Sequence, residues 1–139
     1  MSNSIFRSDD IGKLILRLTV AGLMLFHGVP KLFYGVSWLQ ATLSNAGLPG
    51  FIAYGVYIGE IIAPILLIIG FRTRLAALVL AFDMLVAILL VHQSRIFAVK
   101  EMGGGWAIEL ELLYLLPSLA LFYMGGGKYK IPAKSSDWD

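Results

Sequence analysis

The chain of 139 residues contains no cysteine. That excludes disulfides, thiolate metal centres and any dithiol relay carried by the protein itself. Charge is also scarce, at 14% of residues, where ordinary globular chains carry about 25%. The 11 Lys+Arg stand against 9 Asp+Glu, and a net charge of +2 scattered along the sequence is no nucleic-acid footprint. Histidine occurs twice, and no Glu-x-x-His pair of the kind that builds di-iron bundle sites is present. What the chain has instead is apolar surface: 58% hydrophobic residues and a mean hydropathy of +0.80. A soluble domain of this size has too few charges to cover it, so the expected surroundings are a lipid bilayer.

Crossing a hydrocarbon core of about 30 Å takes roughly 20 mainly apolar residues in a helix. Four windows meet that length approximately: Ile11–Tyr34, Gly50–Phe71, Leu75–Val91 and Trp106–Met124. The first is the weakest, with an uninterrupted apolar run only from Leu18 to Phe26. Lys13 and Arg17 before that run resemble a signal peptide, but no small-x-small cleavage site follows Phe26, so a retained span is expected. Arg7, Lys13, Arg17, Arg72, Arg74, Lys128, Lys130 and Lys134 fall on one side of a four-span arrangement, and only Lys31, Arg95 and Lys100 on the other. The positive-inside rule then places both termini in the cytoplasm. Residues 35–49 read as an uncharged outer loop, the two triple-glycine runs (Gly103–Gly105 and Gly125–Gly127) as helix stops, and Ile131–Asp139 as a solvated tail. The expected fold is all-α, one integral membrane four-helix bundle over residues 1–139.

Every span carries an ionisable residue. Arg17, His27 and Lys31 lie on the first, Glu60 on the second, Asp83 on the third with His92 at its end, and Glu109 and Glu111 on the fourth. Such groups cost several kcal/mol each at mid-membrane and normally face the bundle interior beside a partner. At about 100° per residue, Lys31 sits roughly 40° from both Arg17 and His27, forming one basic stripe that Glu60 and Asp83 could neutralise. Depth places His27, Lys31, Glu60, His92 and Glu109 toward the outer half and Arg17 toward the inner. Asp83 and His92, nine positions apart, share the interior only if the helix ends or bends near Val91. Glu109 and Glu111 point about 200° apart; Glu111 shares a face with Tyr114 and Ser118. Axial haem ligation by His27 and His92, or another metal centre, is weighed and not expected.

Taken together, Arg17, His27-Gly28 and Lys31, then Glu60 before Gly70-Phe71-Arg72, then Met84 to His92, then Glu109, Tyr114-Leu115 and the glycines before Lys128-Tyr129 resemble the DoxX family of small bacterial membrane proteins. The resemblance favours Glu109 over Glu111 as the inward acid, against the helical geometry. One departure is Gly126, where a proline often follows the first glycine. The resemblance implies a protein of the bacterial cytoplasmic (inner) membrane. Some relatives resemble subunits of thiosulfate:quinone oxidoreductases; others associate with redox or oxidative-stress proteins. A quinone is therefore the expected ligand and a redox protein the expected partner, with oligomeric assembly left open. Two other readings stand beside it: a structural subunit whose charges only organise helices and dock a partner, and a small-solute or proton carrier, for which Pro64 is the single candidate helix break.

Overall fold

Ser8 starts the first helix: its hydroxyl accepts from the Ile11 amide at 3.3 Å, and Asp9 and Asp10 occupy the positive end of the helix dipole. The computed structural model describes residues 8–131 and 136–139; Arg7 and Lys134, counted above toward the inner charge, lie outside them. Helix α1 covers Asp9–Tyr34, α2 Ser37–Asn45, α3 Ala63–Ile69, α4 Thr73–Leu90 and α5 Glu109–Met124. A 3-10 stretch, Gly50–Gly55, and a π-helical turn, Ile58–Ile62, lead into α3. Among the described residues there is no strand, only an isolated bridge between Val99 and Trp106. The protein is all-α.

Among the described residues, three helical stretches are long and apolar enough to cross a bilayer: Asp9–Tyr34, Gly50–Ile69 and Thr73–Leu90. The last helix is shorter than the sequence suggests, 16 residues, because Trp106 bridges to Val99, Ala107 and Ile108 form a turn, and α5 starts only at Glu109. The surface is inverted relative to a soluble protein. Phe82 and Leu113 are 66% and 62% exposed, whereas Arg17, Thr73 and Ser118 are fully buried. This arrangement suits hydrocarbon as the solvent.

The main core brings together Val20, Ala21 and Met24 of α1, Ala63 and Leu67 of α3, Ala76, Ala77, Leu80 and Met84 of α4, and Tyr114 and Leu121 of α5. Its alanines let the backbones approach closely, which is how helices gain dispersion energy where lipid offers no hydrophobic drive. A second, smaller core holds Val36, Leu43, Ala53 and Val56. It exists because residues 35–49 are not simply a loop. Val36, Leu39 and Leu43 recur at helical spacing, and α2 folds back against the 3-10 stretch to bury them.

At the opposite end, arginines finish two helices. Arg17 donates to the carbonyls of Leu67 and Ile68 at the end of α3, and to those of Gly126 and Tyr129 after α5, at 2.6–3.0 Å. Its partners are carbonyls rather than the acids that the basic stripe implied. Arg74 does the same for Phe122 and Tyr123 at the end of α5, both at 2.8 Å. Helix C-termini leave such carbonyls without intrahelical partners and carry negative dipole charge, so a guanidinium serves them twice.

Two further expectations change. Gly103–Gly105, all at positive φ, make the tip of the loop closed by the Val99–Trp106 bridge and terminate no helix. Of the second run, Gly125 does close α5, but Gly126 packs where a Cβ would strike the Thr73 hydroxyl. Nor is the end of the chain simply solvated. Asp139 accepts from the amides of Arg72 (3.0 Å) and Ser136 (2.8 Å) and from Lys130 Nζ (3.2 Å). Burial works to raise its pKa, but these hydrogen bonds and the Lys130 charge outweigh it and hold the carboxyl below its usual value.

Candidate functional site

The end of the bundle away from Arg17 and Arg74 encloses a cavity of about 350 Å³. On α1, Met24, His27 and Lys31 present one helical face to it. Glu60 enters from the π turn, and Pro64 explains that turn. Proline has no N–H to offer the Glu60 carbonyl four residues back, and its ring clashes with that oxygen in regular α geometry. The chain widens instead, with the Ala63 amide returning to the Ile58 carbonyl five residues earlier. Gly28 of α1 lies directly on this bulge, where a Cβ would run into the Glu60 carbonyl oxygen.

Helix α4 contributes Asp83 and, past its end, His92. The requirement set by their spacing is met because α4 stops at Leu90, and His92 turns back to line the same space. Gly59 makes room for Asp83: a Cβ there would sit 2.5 Å from the aspartate Cγ. From α5 come Glu111 and Tyr114.

Within the cavity, Lys31 pairs with Glu60, and its ammonium also donates to the His27 carbonyl at 3.2 Å. His92 Nε2 lies 3.0 Å from Glu111 Oε1. The His27 ring meets Tyr114 edge-on, with centroids 5.6 Å apart. Asp83 Oδ2 and Glu111 Oε2 are buried without a hydrogen-bond partner among the described residues. An unpartnered buried carboxylate oxygen is costly, so each invites a donor. Among the described residues no grouping of His, Asp and Glu is arranged to hold a metal ion.

The structure thus gathers His27, Lys31, Glu60, Asp83, His92, Glu111 and Tyr114 around one space and leaves out two residues singled out from sequence. Arg17 is occupied at the other end. Glu109 is exposed, packs beside Gly105 and borders a separate groove with Leu16 and Trp106; Glu111 is the acid that turns inward. Sequence reasoning missed the lining supplied by α2 and the 3-10 stretch, including Trp38, Leu43 and Ala53. The recurring Val36-Leu39-Leu43 spacing was the available signal.

The DoxX family pattern matches residues 12–93, from α1 through the end of α4. The chain belongs to the DoxX family. A Bacillus subtilis protein named "Putative oxidoreductase CatD" is 31% identical to this DoxX protein over 119 residues, covering 86% of this chain and 83% of that one. An uncharacterized protein of Haemophilus influenzae is 33% identical over 115 residues, covering 81% of each. No solved structure matches. His27, Lys31, Glu60, Asp83 and His92 fall within the matched stretch of this DoxX protein; Glu111 and Tyr114 lie beyond it.

The Lys31–Glu60 pair is open to a direct test. Lys31→Met strands a carboxylate that is only 8% exposed and is expected to cost about 2–3 kcal/mol. Lys31→Met with Glu60→Gln together should recover most of that loss. Unfolding midpoints of these two variants and of Glu60→Gln alone, in one detergent, give the coupling, and additive losses would show that the two side chains do not sense each other.

Proposed function

We propose that this DoxX protein is a quinone-linked component of a redox complex in the bacterial inner membrane. The observation that carries the reading is the cavity itself. It is mainly apolar, lies in the size range of small-molecule sites (roughly 300–1,000 Å³), and converges two imidazoles, a lysine, a tyrosine and three carboxyls on one space. The name of the Bacillus relative supports an oxidoreductase role.

In this reading α5 is a fourth span. Its 16 residues rise about 24 Å, short of the core thickness but extended by the apolar residues flanking it. The basic end, with Lys13, Arg17, Arg72, Arg74, Lys128 and Lys130, faces the cytoplasm with both termini, and the cavity faces the outer leaflet.

The residue types suit a quinone head group. His27 and Tyr114 offer donors to ring oxygens, and the apolar lining from α2 and α4 suits the ring faces. When bound, the quinone supplies a two-electron, two-proton couple. The chain contributes proton handling and positioning. Asp83 Oδ2 holds or releases a proton inside the cavity, since no neighbour among the described residues satisfies it. Glu111, bridged to His92 at the end of α4, gives that proton an exchange point nearer the surface. Lys31 and Glu60, engaged with each other, keep α1 against the π turn so that His27 stays in register. A chain without cysteine needs an external electron donor, and the proposal therefore includes a redox partner protein.

Purified wild-type protein in mild detergent is expected to carry extractable quinone near one per chain. Asp83→Asn keeps the shape, removes the acid and should lower the affinity for added quinol, whose hydroxyls can donate to the carboxylate, about tenfold, as expected for loss of a charge-assisted hydrogen bond. Quinone-free wild-type protein that also fails to bind added quinone would overturn the reading.

The two ion pairs favour a second reading, a structural subunit whose buried charges organise the helices. It leaves the unpartnered Asp83 oxygen without a role, and predicts that Asp83→Asn stabilises the fold with no effect on any ligand.

A further inference from the structure

We infer that the cavity is loaded sideways, from the bilayer between α1 and α5, by a molecule with a polar, ring-sized head and an apolar tail. The identity of the head rests on the quinone reading; the route and the tail rest on separate observations.

The aqueous side is roofed. Helix α2 and the 3-10 stretch lie across the end of the cavity; of their lining residues Leu43 and Ala53 are 2% and 1% exposed, while Trp38 and Ile52, apolar as well, are 51% and 42% exposed. Both elements are held by the second hydrophobic core rather than by the main one. A water-borne polar molecule would have to part that apolar cover.

The lateral side is open. His27 lines the cavity yet is exposed, the only one of the charged or imidazole-bearing cavity residues named above in that class. Its ring meets Tyr114 where α1 faces α5, and Leu110, one turn before Tyr114 on α5, also lines the cavity and is itself 46% exposed. On α5, Leu110 begins a stripe continued by Leu113, Pro117 and Ala120, all within an arc of about 80°. On α1, His27 and Leu16 lie about 20° apart. Leu16 of α1 and Leu112, Leu113, Leu116, Pro117 and Ala120 of α5 line a mainly apolar groove of about 490 Å³, with Trp106 and Glu109 toward its outer end. It shares no lining residue with the cavity, but its Leu113 lies about 60° from Leu110 on α5. One pair of helices therefore offers a polar cavity near one end and, beside it on the adjoining lipid-facing side of α5, an apolar groove toward the other. A head seated beside His27 and Tyr114 would leave its tail along that groove.

Lipid chains are as apolar as leucine, so the groove gains little by hydrophobic transfer. Its contribution is dispersion packing along a shaped surface and retention of the head at the opening.

The test compares two probes with one ring: a dimethoxy-methyl-benzoquinone without a tail, and the same ring carrying a decyl chain. Quenching of tryptophan fluorescence reads binding, because Trp38 lines the cavity and Trp106 the groove. Concentrations are corrected for partition into detergent. The wild-type protein should bind the decyl probe about tenfold more tightly than the tail-less one. Ala120→Phe, which fills the groove, should remove that advantage and leave tail-less binding unchanged. Leu116→Phe, at a groove position 57% exposed and tolerant of bulk, should act the same way if Ala120→Phe fails to fold, and adds no tryptophan to the signal. Equal affinity for both probes, with neither variant discriminating between them, would overturn the lateral route and leave the quinone reading standing. Binding of neither probe by folded wild-type protein would overturn both.

Discussion

Arg17→Met should destabilise the protein by about 3–5 kcal/mol, read as a lower midpoint of thermal or detergent-induced unfolding. The side chain is fully buried, and its four hydrogen bonds all end on backbone carbonyls, two at the close of α3 and two in the segment after α5. Methionine keeps much of the volume and none of the donors. Each stranded carbonyl costs about 1–3 kcal/mol before water reaches it. Arg17→Lys should recover less than half of the loss, because a compact ammonium cannot span two segments as the guanidinium fork does. The quinone binding proposed for the opposite end should persist in whatever fraction remains folded. An unchanged midpoint for Arg17→Met would show that water satisfies these carbonyls and that the cap is dispensable.

Gly28→Ala is expected to be the most damaging small substitution on α1, costing about 2–3 kcal/mol and loosening the cavity with it. The added methyl would meet the Glu60 carbonyl and, at 2.7 Å, the Ile61 side chain, so α1 must move off the π turn. That shift carries His27 and Lys31 away from Tyr114 and Glu60, so weaker quinone binding should accompany the lower midpoint. Gly22→Ala supplies the control on the same helix. Nothing lies within 4 Å of its new Cβ, so the change should be neutral or stabilising by up to about 1 kcal/mol. If the two glycines behave alike, close approach at Gly28 is not what positions the site.

Much of the candidate site was legible because intramembrane charges are expensive and helical periodicity is regular. His27, Lys31, Glu60 and Asp83 could be assigned an inward face from spacing and depth alone. Tyr114 and Glu111 followed from a shared face on the last helix. Arg17 shows the limit of that reasoning. Its place on the basic stripe was readable, but its partners were backbone carbonyls, which leave no mark in a sequence. With Glu109 and Glu111 the helical geometry pointed to Glu111, which does line the cavity, whereas the family resemblance favoured Glu109, which lies on the exposed side of α5.

Composition and apolar run length by themselves determined a helical membrane protein, because hydrocarbon leaves a chain few other ways to satisfy its backbone. Pro64 marked the break in the second span for the same kind of local reason, a missing N–H. Only the tertiary structure decided that the break becomes a π turn seated on Gly28, that residues 37–45 fold back as a roof, and that two arginines close the ends of two helices. Each depends on contacts between segments far apart in the chain, where spacing along one helix carries no information about what the next will present.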